Sequence, residues 1–346
     1  MRRTGYGGYR GRRTGRDVLK YIIAALAVLV CVLAGILLLG RERPAREEQD
    51  PPIEQQQQVT PPVEGELDPE VTPEPAPEPE PEPEPEDYVM RAVGMETAQV
   101  LDGSWKRVLE ETGANAVVLN MKSDDGALHW ETGGAEQEGG INAGLRKLNE
   151  AVYGVARISC FRDELLANTY EYCIHSNSGY RWKDFGGIHW VSPANLKVQD
   201  YIIDRAVELA GLGFREILLD NCGYPQNGSG EMGWIKRGEV YDLEHLDLVV
   251  GAFLERMTRA LEPYGVTVSV RTNPTVVQDA MGERTGLTGA VLQQYAQRIW
   301  MSEIGTAVPL AEALSEAGVS GVGERLVTQT EVLTPENRWA QAGLSF

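Results

Sequence analysis

The sequence predicts an α/β fold for residues 88–346, a (β/α)8 TIM-type barrel. Short apolar runs alternate with amphipathic stretches in this region, which is the pattern of a parallel sheet covered by helices. Its 259 residues match the size of one such barrel. No glycine-rich phosphate loop follows a predicted strand, which argues against the alternative of an open, doubly wound sheet.

The chain before the barrel begins with a basic tail and a membrane span. Residues 1–20 hold seven Lys or Arg residues, and residues 21–40 are uncharged over a length that crosses one bilayer as a helix. Only three basic residues follow this span before residue 50, so the tail is expected in the cytoplasm. The sequence therefore predicts a single-pass protein of the cell membrane, with its carboxyl-terminal domain outside the cell.

Residues 41–87 predict a disordered linker between the span and the barrel. Proline and glutamate alternate here, and this composition forms neither helix nor sheet. Repulsion between the charges favours an extended stalk.

Eight strands are predicted in the barrel, the number that closes it. They are placed at residues 89–93, 116–121, 155–159, 216–219, 266–270, 290–293, 298–301 and 321–326. Helices are predicted near residues 104–112, 141–153, 196–212, 243–263 and 310–317. The sixth and seventh predicted strands have no helix between them, so an incomplete or distorted barrel is the alternative in the last third.

Charge and cysteine content restrict the partners. The net charge is -19, of which the barrel region carries -12, and such a surface repels the phosphates of nucleic acids. The sequence has no Cys/His cluster that suggests a metal, and no cofactor is expected. Cys160 and Cys222 each follow a predicted strand, so they form either a disulfide or, with Cys173, buried free thiols.

Asp220 is the leading candidate for a catalytic residue. It comes directly after the buried strand at residues 216–219, and parallel strands carry functional side chains at their carboxyl ends. The alternative is that its carboxylate only stabilises a turn. Other polar or aromatic residues follow predicted strands or lie in the long insertion near residues 175–195. Those predicted to bind substrate are Lys122, Arg157, Asp163, Trp190, Tyr224, Arg271 and Gln294.

Carboxylates, amides and aromatic rings at one face are the groups that bind and cleave a glycan. Asp220 would be the nucleophile or base, kept ionised by Arg157 or Arg271. The general acid must be a desolvated carboxyl group. Glu303, next to Trp300, is the first candidate for it, and Glu324 is the second.

Three segments carry a resemblance to a known family. GVARISCFRDELLA, WKDFGGIHWVSPAN and GFREILLDNCGYP resemble a glycoside hydrolase family of the TIM-barrel glycosidase group, known mainly as a domain of unknown function. The match implies a barrel and a carbohydrate-related role, and the family's acid after the fourth strand falls on Asp220. At three positions the family's usual charge is missing, because Asn120 and Ser192 replace aspartates and Gly223 replaces an arginine.

Three functions are therefore weighed. The first is a glycoside hydrolase acting on cell-envelope or environmental polysaccharide. The second is a catalytically inactive barrel that binds glycan, which the lost charges favour and the retained Asp220 opposes. The third is a structural or partner-binding domain with an acidic surface.

Overall fold

The computed structural model describes residues 88–133, 140–225, 235–237, 241–278 and 284–343. The predicted tail, membrane span and linker, residues 1–87, lie outside these ranges. Within the described ranges, every helix is too short or too polar to cross a bilayer.

Eight parallel strands form a closed barrel in sequence order, with the last strand paired to the first. This confirms the predicted fold class. The strands are β1 (Arg91–Met95), β2 (Ala116–Lys122), β3 (Tyr153–Ser159), β4 (Glu216–Asp220), β5 (Thr267–Thr272), β6 (Arg298–Met301), β7 (Leu326–Gln329) and β8 (Ala340–Ala342).

Helices connect most of the strands. They are α1 (Thr97–Leu101), α2 (Trp105–Thr112), α3 (Ile141–Ala151), α4 (Leu196–Gly211), α5 (Leu246–Leu261), α6 (Pro274–Val277), α7 (Gly289–Tyr295), α8 (Ala307–Glu316) and α9 (Val322–Arg325). The five predicted helices correspond to α2, α3, α4, α5 and α8. Helix α4 begins after Asn195, whose side chain accepts hydrogen bonds from the backbone N–H groups of Lys197 and Val198.

The strands separate two cores, because successive side chains of a strand point to opposite sides. In β4, Ile217 and Leu219 pack into the large core that the helices cover, whereas Leu218 belongs to a small cluster contributed by six strands. That cluster fills the inside of the barrel. Glu216 and Asp220 share the parity of Leu218, so strand β4 presents one carboxylate at each end of the barrel interior.

The last third differs from the prediction. Residues 290–293, predicted as a strand, lie within helix α7, whose N-cap Thr288 accepts a hydrogen bond from the backbone N–H of Val291. Residues 321–326 are mostly helix α9, and strand β7 begins only at Leu326. Strand β8 was not predicted, because three residues are too few to show a pattern. The barrel has eight strands, but two of them are not where the sequence placed them.

A long insertion, residues 160–195, connects β3 to α4 and folds into short antiparallel pairings. Bridges join Cys173 to Val191, His175 to Arg181 and Lys183 to His189. Of the two alternatives for the cysteines, the structure has free thiols at positions 160, 173 and 222, all buried.

Candidate functional site

Asp220 lies at the carboxyl end of β4, between two arginines from the neighbouring strands. Its Oδ2 atom accepts hydrogen bonds from Nε and Nη2 of Arg157 in β3, at 3.0 and 2.7 Å. The same oxygen accepts from Nη1 of Arg271 in β5, at 2.9 Å. Strand pairing fixes this arrangement, because β3 and β5 are the two neighbours of β4. The expected pairing of Asp220 with Arg157 or Arg271 is confirmed for both arginines.

The two arginines keep the Asp220 carboxylate ionised. Burial, which leaves its side chain only 13% exposed, raises the pKa. The charges and hydrogen bonds of Arg157 and Arg271 outweigh burial and lower the pKa of Asp220 to about 2. At neutral pH the group is a negative charge that cannot donate a proton.

Asp124, in the loop after β2, is a second carboxylate held by two arginines. Its Oδ1 atom lies 2.5 Å from Nη2 of Arg157, and its Oδ2 atom accepts from Nη1 of Arg162. Arg157 therefore links Asp124 to Asp220. Asp124 was not among the predicted site residues, because the sequence does not distinguish it from its neighbour Asp125.

Asn221 connects the same groups through an unusual backbone conformation. Its φ of 49° lies in the left-handed region, which Asn tolerates better than most residues. Its side-chain Nδ2 atom lies 3.0 Å from Ser159 Oγ and 3.3 Å from Asp124 Oδ1, and its backbone N–H donates to Oδ1 of Asp220 at 2.9 Å. Sequence reasoning missed this residue, although an Asn directly after a strand-end acid is a signal for it.

A cavity of about 230 Å³ opens above Asp220. Its lining mixes charged and other polar groups with apolar side chains. The described residues that line it are Asp124, Arg157, Trp190, Asp220, Asn221, Cys222, Gly223, Tyr224, Arg271, Thr272, Asn273, Val276, Thr285, Leu287, Ser302 and Glu303.

Six of the nine predicted site residues share this cavity: Asp220, Glu303, Arg157, Trp190, Tyr224 and Arg271. Lys122 and Asp163 are not among the residues that line it. They are fully buried against each other, with Lys122 Nζ 2.7 Å from Asp163 Oδ2 and 2.6 Å from the carbonyl oxygen of Ser159. This buried ion pair contacts the end of β3 through the carbonyl oxygen of Ser159 and does not line the cavity.

Gln294 does not line the cavity. It was predicted to follow a strand at residues 290–293, but those residues lie in helix α7. It lies exposed on that helix, outside the barrel interior. Glu324 is also misplaced by the prediction. It lies on α9, directly before β7, and so at the amino end of the barrel, away from Asp220.

Trp300 does not desolvate Glu303, and that expectation is wrong. The side chain of Trp300 points into the barrel, where its Nε1–H donates to Oε1 of Glu216 at 2.7 Å. Glu303 is exposed at the rim of the cavity. The alternation of side chains along β6 sends Trp300 inward, and Glu303 lies beyond the end of the strand.

Trp190 reaches the cavity from the insertion. Its indole N–H donates to Oδ2 of Asp184 at 3.0 Å, and the same oxygen accepts from Nε of Arg162 at 2.7 Å. The ring of Trp190 is therefore held in a fixed orientation. Trp182, from the same insertion, is buried and is not among the residues lining the cavity.

The structure accounts for the three positions that lack the family's charge. Asn120 Oδ1 accepts a hydrogen bond from Nη1 of Arg157 at 3.0 Å, so an uncharged amide completes that contact. Ser192 is buried and its Oγ accepts from the backbone N–H of Ala194. At Gly223 a Cβ atom would lie 2.6 Å from the carbonyl oxygen of Thr285, so this loop occupies the space of any larger side chain.

Among the described residues, no group of three or more His, Cys, Asp or Glu side chains is arranged to hold a metal ion. What the site offers is an ionised carboxylate, two arginines, amides and one ordered indole around a small polar cavity. Such groups bind hydroxyl-rich molecules.

Comparison with known proteins gives one family and a set of similar folds. Residues 92–299 match the family described as "Putative glycosyl hydrolase domain". No protein of curated function matches the sequence.

Three solved structures are among those that match this chain. A hypothetical protein from Ruminiclostridium thermocellum is 22% identical, with a TM-score of 0.43, over 51% of this chain and 96% of its own. The glycoside hydrolase domain of PgaB (BpsB) from Bordetella bronchiseptica is 11% identical, with a TM-score of 0.52, over 70% of this chain and 84% of its own. A variant of the glycoside hydrolase domain of PelA from Pseudomonas aeruginosa is 13% identical, with a TM-score of 0.37, over 62% and 67%. The likeness to the Bordetella domain concerns the fold alone.

Proposed function

The chain belongs to this family of glycosyl hydrolase domains, since the match covers more than half of its residues, and we propose that it hydrolyses a polysaccharide in the cavity above Asp220. The observation that carries the proposal is the Asp220 carboxylate, held ionised by Arg157 and Arg271 at the carboxyl end of the barrel. In this fold that end is where reacting groups lie.

We infer different tasks for the two oxygens of Asp220 from their hydrogen bonds. Oδ2 accepts all three arginine N–H groups, whereas Oδ1 accepts the backbone N–H of Asn221. A carboxylate oxygen has two lone-pair positions, so Oδ1 is the atom directed to substrate. It acts as the nucleophile on the anomeric carbon or as the base that activates water.

Glu303 is the proposed general acid. Among the residues that the structure describes, three carboxyl groups line the cavity, and two of them, Asp124 and Asp220, are paired with arginines. Glu303 at the rim is the third. In this role Glu303 donates a proton to the oxygen of the leaving sugar as the glycosidic bond breaks.

A second candidate function is glycan binding without cleavage. The observation in its favour is that Asp124 and Asp220 are both engaged by arginines while Glu303 is solvent-exposed. In that case the same cavity binds sugar, and the ionised Asp220 accepts hydrogen bonds from sugar hydroxyl groups.

The experiment measures release of reducing ends by the full-length chain in detergent, from cellulose, chitin, xylan, galactomannan and peptidoglycan. Hydrolysis predicts release from at least one of them. Asp220→Asn lowers the rate about 10²- to 10⁴-fold, measured per folded molecule because the substitution also removes stabilising ion pairs with Arg157 and Arg271. Asp200→Asn is the matched control, because Asp200 pairs with Arg256 on the outer helices. Binding to a polysaccharide without any release, equal in wild type and Glu303→Gln, would favour the second function.

We also propose that the barrel works outside the cell, tethered to the membrane. The uncharged residues 21–40, the excess of basic residues before them and the Pro/Glu-rich residues 41–87 support this placement. Protease added to intact cells should then remove residues 88–346 and leave the amino-terminal tail protected. A barrel that is degraded only after cell lysis would contradict the proposal.

A further inference from the structure

The insertion between β3 and α4 exposes three aromatic side chains on the side of the barrel where the cavity opens. Tyr170, Tyr180 and Phe185 are 51%, 76% and 77% exposed. The other exposed aromatic residues in the described ranges, Tyr88 and Tyr264, precede strands β1 and β5 and so lie toward the amino ends. Large rings left in water and concentrated on one segment indicate a binding surface.

The framework below these rings is ordered by hydrogen bonds. The ring of Tyr170 packs on that of His175 with centroids 4.2 Å apart, and its hydroxyl donates to the carbonyl oxygen of Gly179 at 2.7 Å. Arg181 Nη1 donates to the carbonyl oxygen of Ala167 at 2.9 Å, so the segment at Arg181 is also held against the start of the insertion. The Tyr170 ring, held in this way, loses little freedom when a ligand binds.

Phe185 is connected to the cavity through its neighbour Asp184. Phe185 follows Asp184 in the turn between the bridged residues Lys183 and His189. The carboxylate of Asp184 accepts the indole N–H of Trp190, and Trp190 lines the cavity. A single residue, Asp184, therefore links the exposed Phe185 to Trp190 in the cavity lining.

The size of the cavity limits how much of a glycan it can hold. Its volume of about 230 Å³ is below the range of about 300 to 1,000 Å³ that is usual for small-molecule pockets. It holds little more than a single sugar ring, so a longer glycan must leave it across the rim. The apolar faces of pyranose rings pack on aromatic rings, and hydroxyl groups at their edges stay in water.

We propose that Tyr170, Tyr180 and Phe185 form an aromatic platform that binds the part of a polysaccharide extending beyond the cavity. The substrate class is then a polymer of several sugar units, not a small glycoside. This inference rests on the proposed function, because it takes the cavity as the place where one unit of the glycan is bound.

The test compares long and short ligands with the full-length chain in detergent. Affinity electrophoresis in gels containing each polysaccharide of the panel measures binding, and release from a p-nitrophenyl glycoside of the same sugar measures reaction at the cavity. Tyr180→Ala and Phe185→Ala should each weaken polymer binding about five-fold, the effect of losing one ring contact. The rate on the short glycoside should stay within two-fold of wild type, as an approximate bound for a site left intact.

Tyr264→Ala is the matched control, since it removes an exposed ring from the other end of the barrel and should change neither quantity. Unchanged polymer binding by the double variant of Tyr180 and Phe185, at a native melting temperature, would overturn the platform while leaving the cavity intact. Equal losses on polymer and short glycoside would also overturn it, because the rings would then act within the cavity. If the wild type neither binds nor cleaves any polysaccharide, the proposed function fails first and the platform fails with it.

Discussion

The two ends of strand β4 carry the same kind of group in opposite surroundings. Glu216 at the amino end is fully buried, and its oxygens accept from Ser269 Oγ at 2.5 Å, Trp300 Nε1 at 2.7 Å and Tyr153 OH at 3.1 Å, and also from Arg298. We call these five residues the amino-end plug. Asp220 at the carboxyl end has two arginine partners and faces the cavity.

The difference between the two ends lies in access. The guanidinium of Arg298 is covered by Trp339, whose ring centroid lies 4.5 Å away, so the plug is closed from below. The Asp220 carboxylate is partly exposed and has Oδ1 turned away from the arginines. A buried carboxylate paired with arginine is therefore not by itself a functional site. Asp220 differs from Glu216 because it lines a cavity itself.

The largest expected effect is a loss of stability without a loss of function, caused by a substitution at Glu216 in the amino-end plug. Glu216→Gln leaves Arg298 facing a neutral amide, and removing one partner of a buried ion pair costs about 3 to 5 kcal/mol. We expect the free energy of unfolding to fall by about this amount in urea titrations followed by tryptophan fluorescence. Polysaccharide binding or hydrolysis per folded molecule should not change. A variant of native stability that has lost activity would reverse the assignment of the two ends.

The next effect concerns the loop that shapes the cavity. Gly223→Ala places a Cβ 2.6 Å from the carbonyl oxygen of Thr285, so the loop must move. We expect a loss of about 1 to 3 kcal/mol in unfolding free energy, as for overpacked sites, together with weaker glycan binding.

Gly323→Ala is the control for this substitution, because open space surrounds Gly323 and its helix tolerates alanine. If Gly223→Ala leaves both stability and binding unchanged, the close contact with Thr285 does not exist in solution.

A third effect is the pH dependence of stability at the carboxyl end. The pKa of Asp220 is lowered to about 2 in the folded state, below its usual value, so the folded protein favours the ionised form. Its contribution of about 2 kcal/mol is complete above about pH 4 and is lost as the pH falls toward 2.

Urea unfolding at pH 5, 4 and 3 measures this contribution. Between pH 4 and pH 3 the unfolding free energy of wild type should fall more steeply than that of Asp220→Asn. Parallel curves for the two proteins would mean that Asp220 is not held ionised by its arginines.

The smallest effect on stability is expected at an exposed ion pair, because an ion pair in water contributes little to the free energy of unfolding. Asp200 is 56% exposed and contacts Arg256. Asp200→Asn should change the free energy of unfolding by about 0.2 to 1 kcal/mol and leave glycan binding unaltered. A loss comparable to that of Glu216→Gln would show that burial is not what distinguishes these pairs.

The sequence predicts the first five strands and the position of Asp220 well, because each of these strands is a clear apolar run. It also predicts the arginines beside Asp220, since β3 and β5 are its neighbours in a parallel barrel. The prediction fails where elements are short. Residues 290–293 are apolar enough for a strand, but they form a helix. The side chain of Thr288 caps its first turn by accepting the backbone N–H of Val291, and Gly289 allows close packing on Ala317.

The site shows the same limit. Glu303 is near Trp300 in sequence, yet the direction of the Trp300 side chain depends on strand register, which one sequence does not reveal. Asp124 and Asn221 are 97 residues apart along the chain, and they become prominent only because the fold brings their side chains within 3.3 Å of each other beside Arg157. Sequence patterns identify the strand ends, whereas the hydrogen bonds between them come from tertiary structure.

The most direct test of the central claim is backbone hydrogen exchange of the full-length chain with and without the polysaccharide that it binds most tightly. The account predicts slower exchange in the loops at the carboxyl ends of β4 and β5, residues 221–225 and 273–278, when glycan is bound. Exchange in the turns at the opposite end, residues 113–115, 212–215 and 262–266, should be unchanged. Slower exchange in those turns, or no change near Asp220 at saturating glycan, would contradict the assignment of the site.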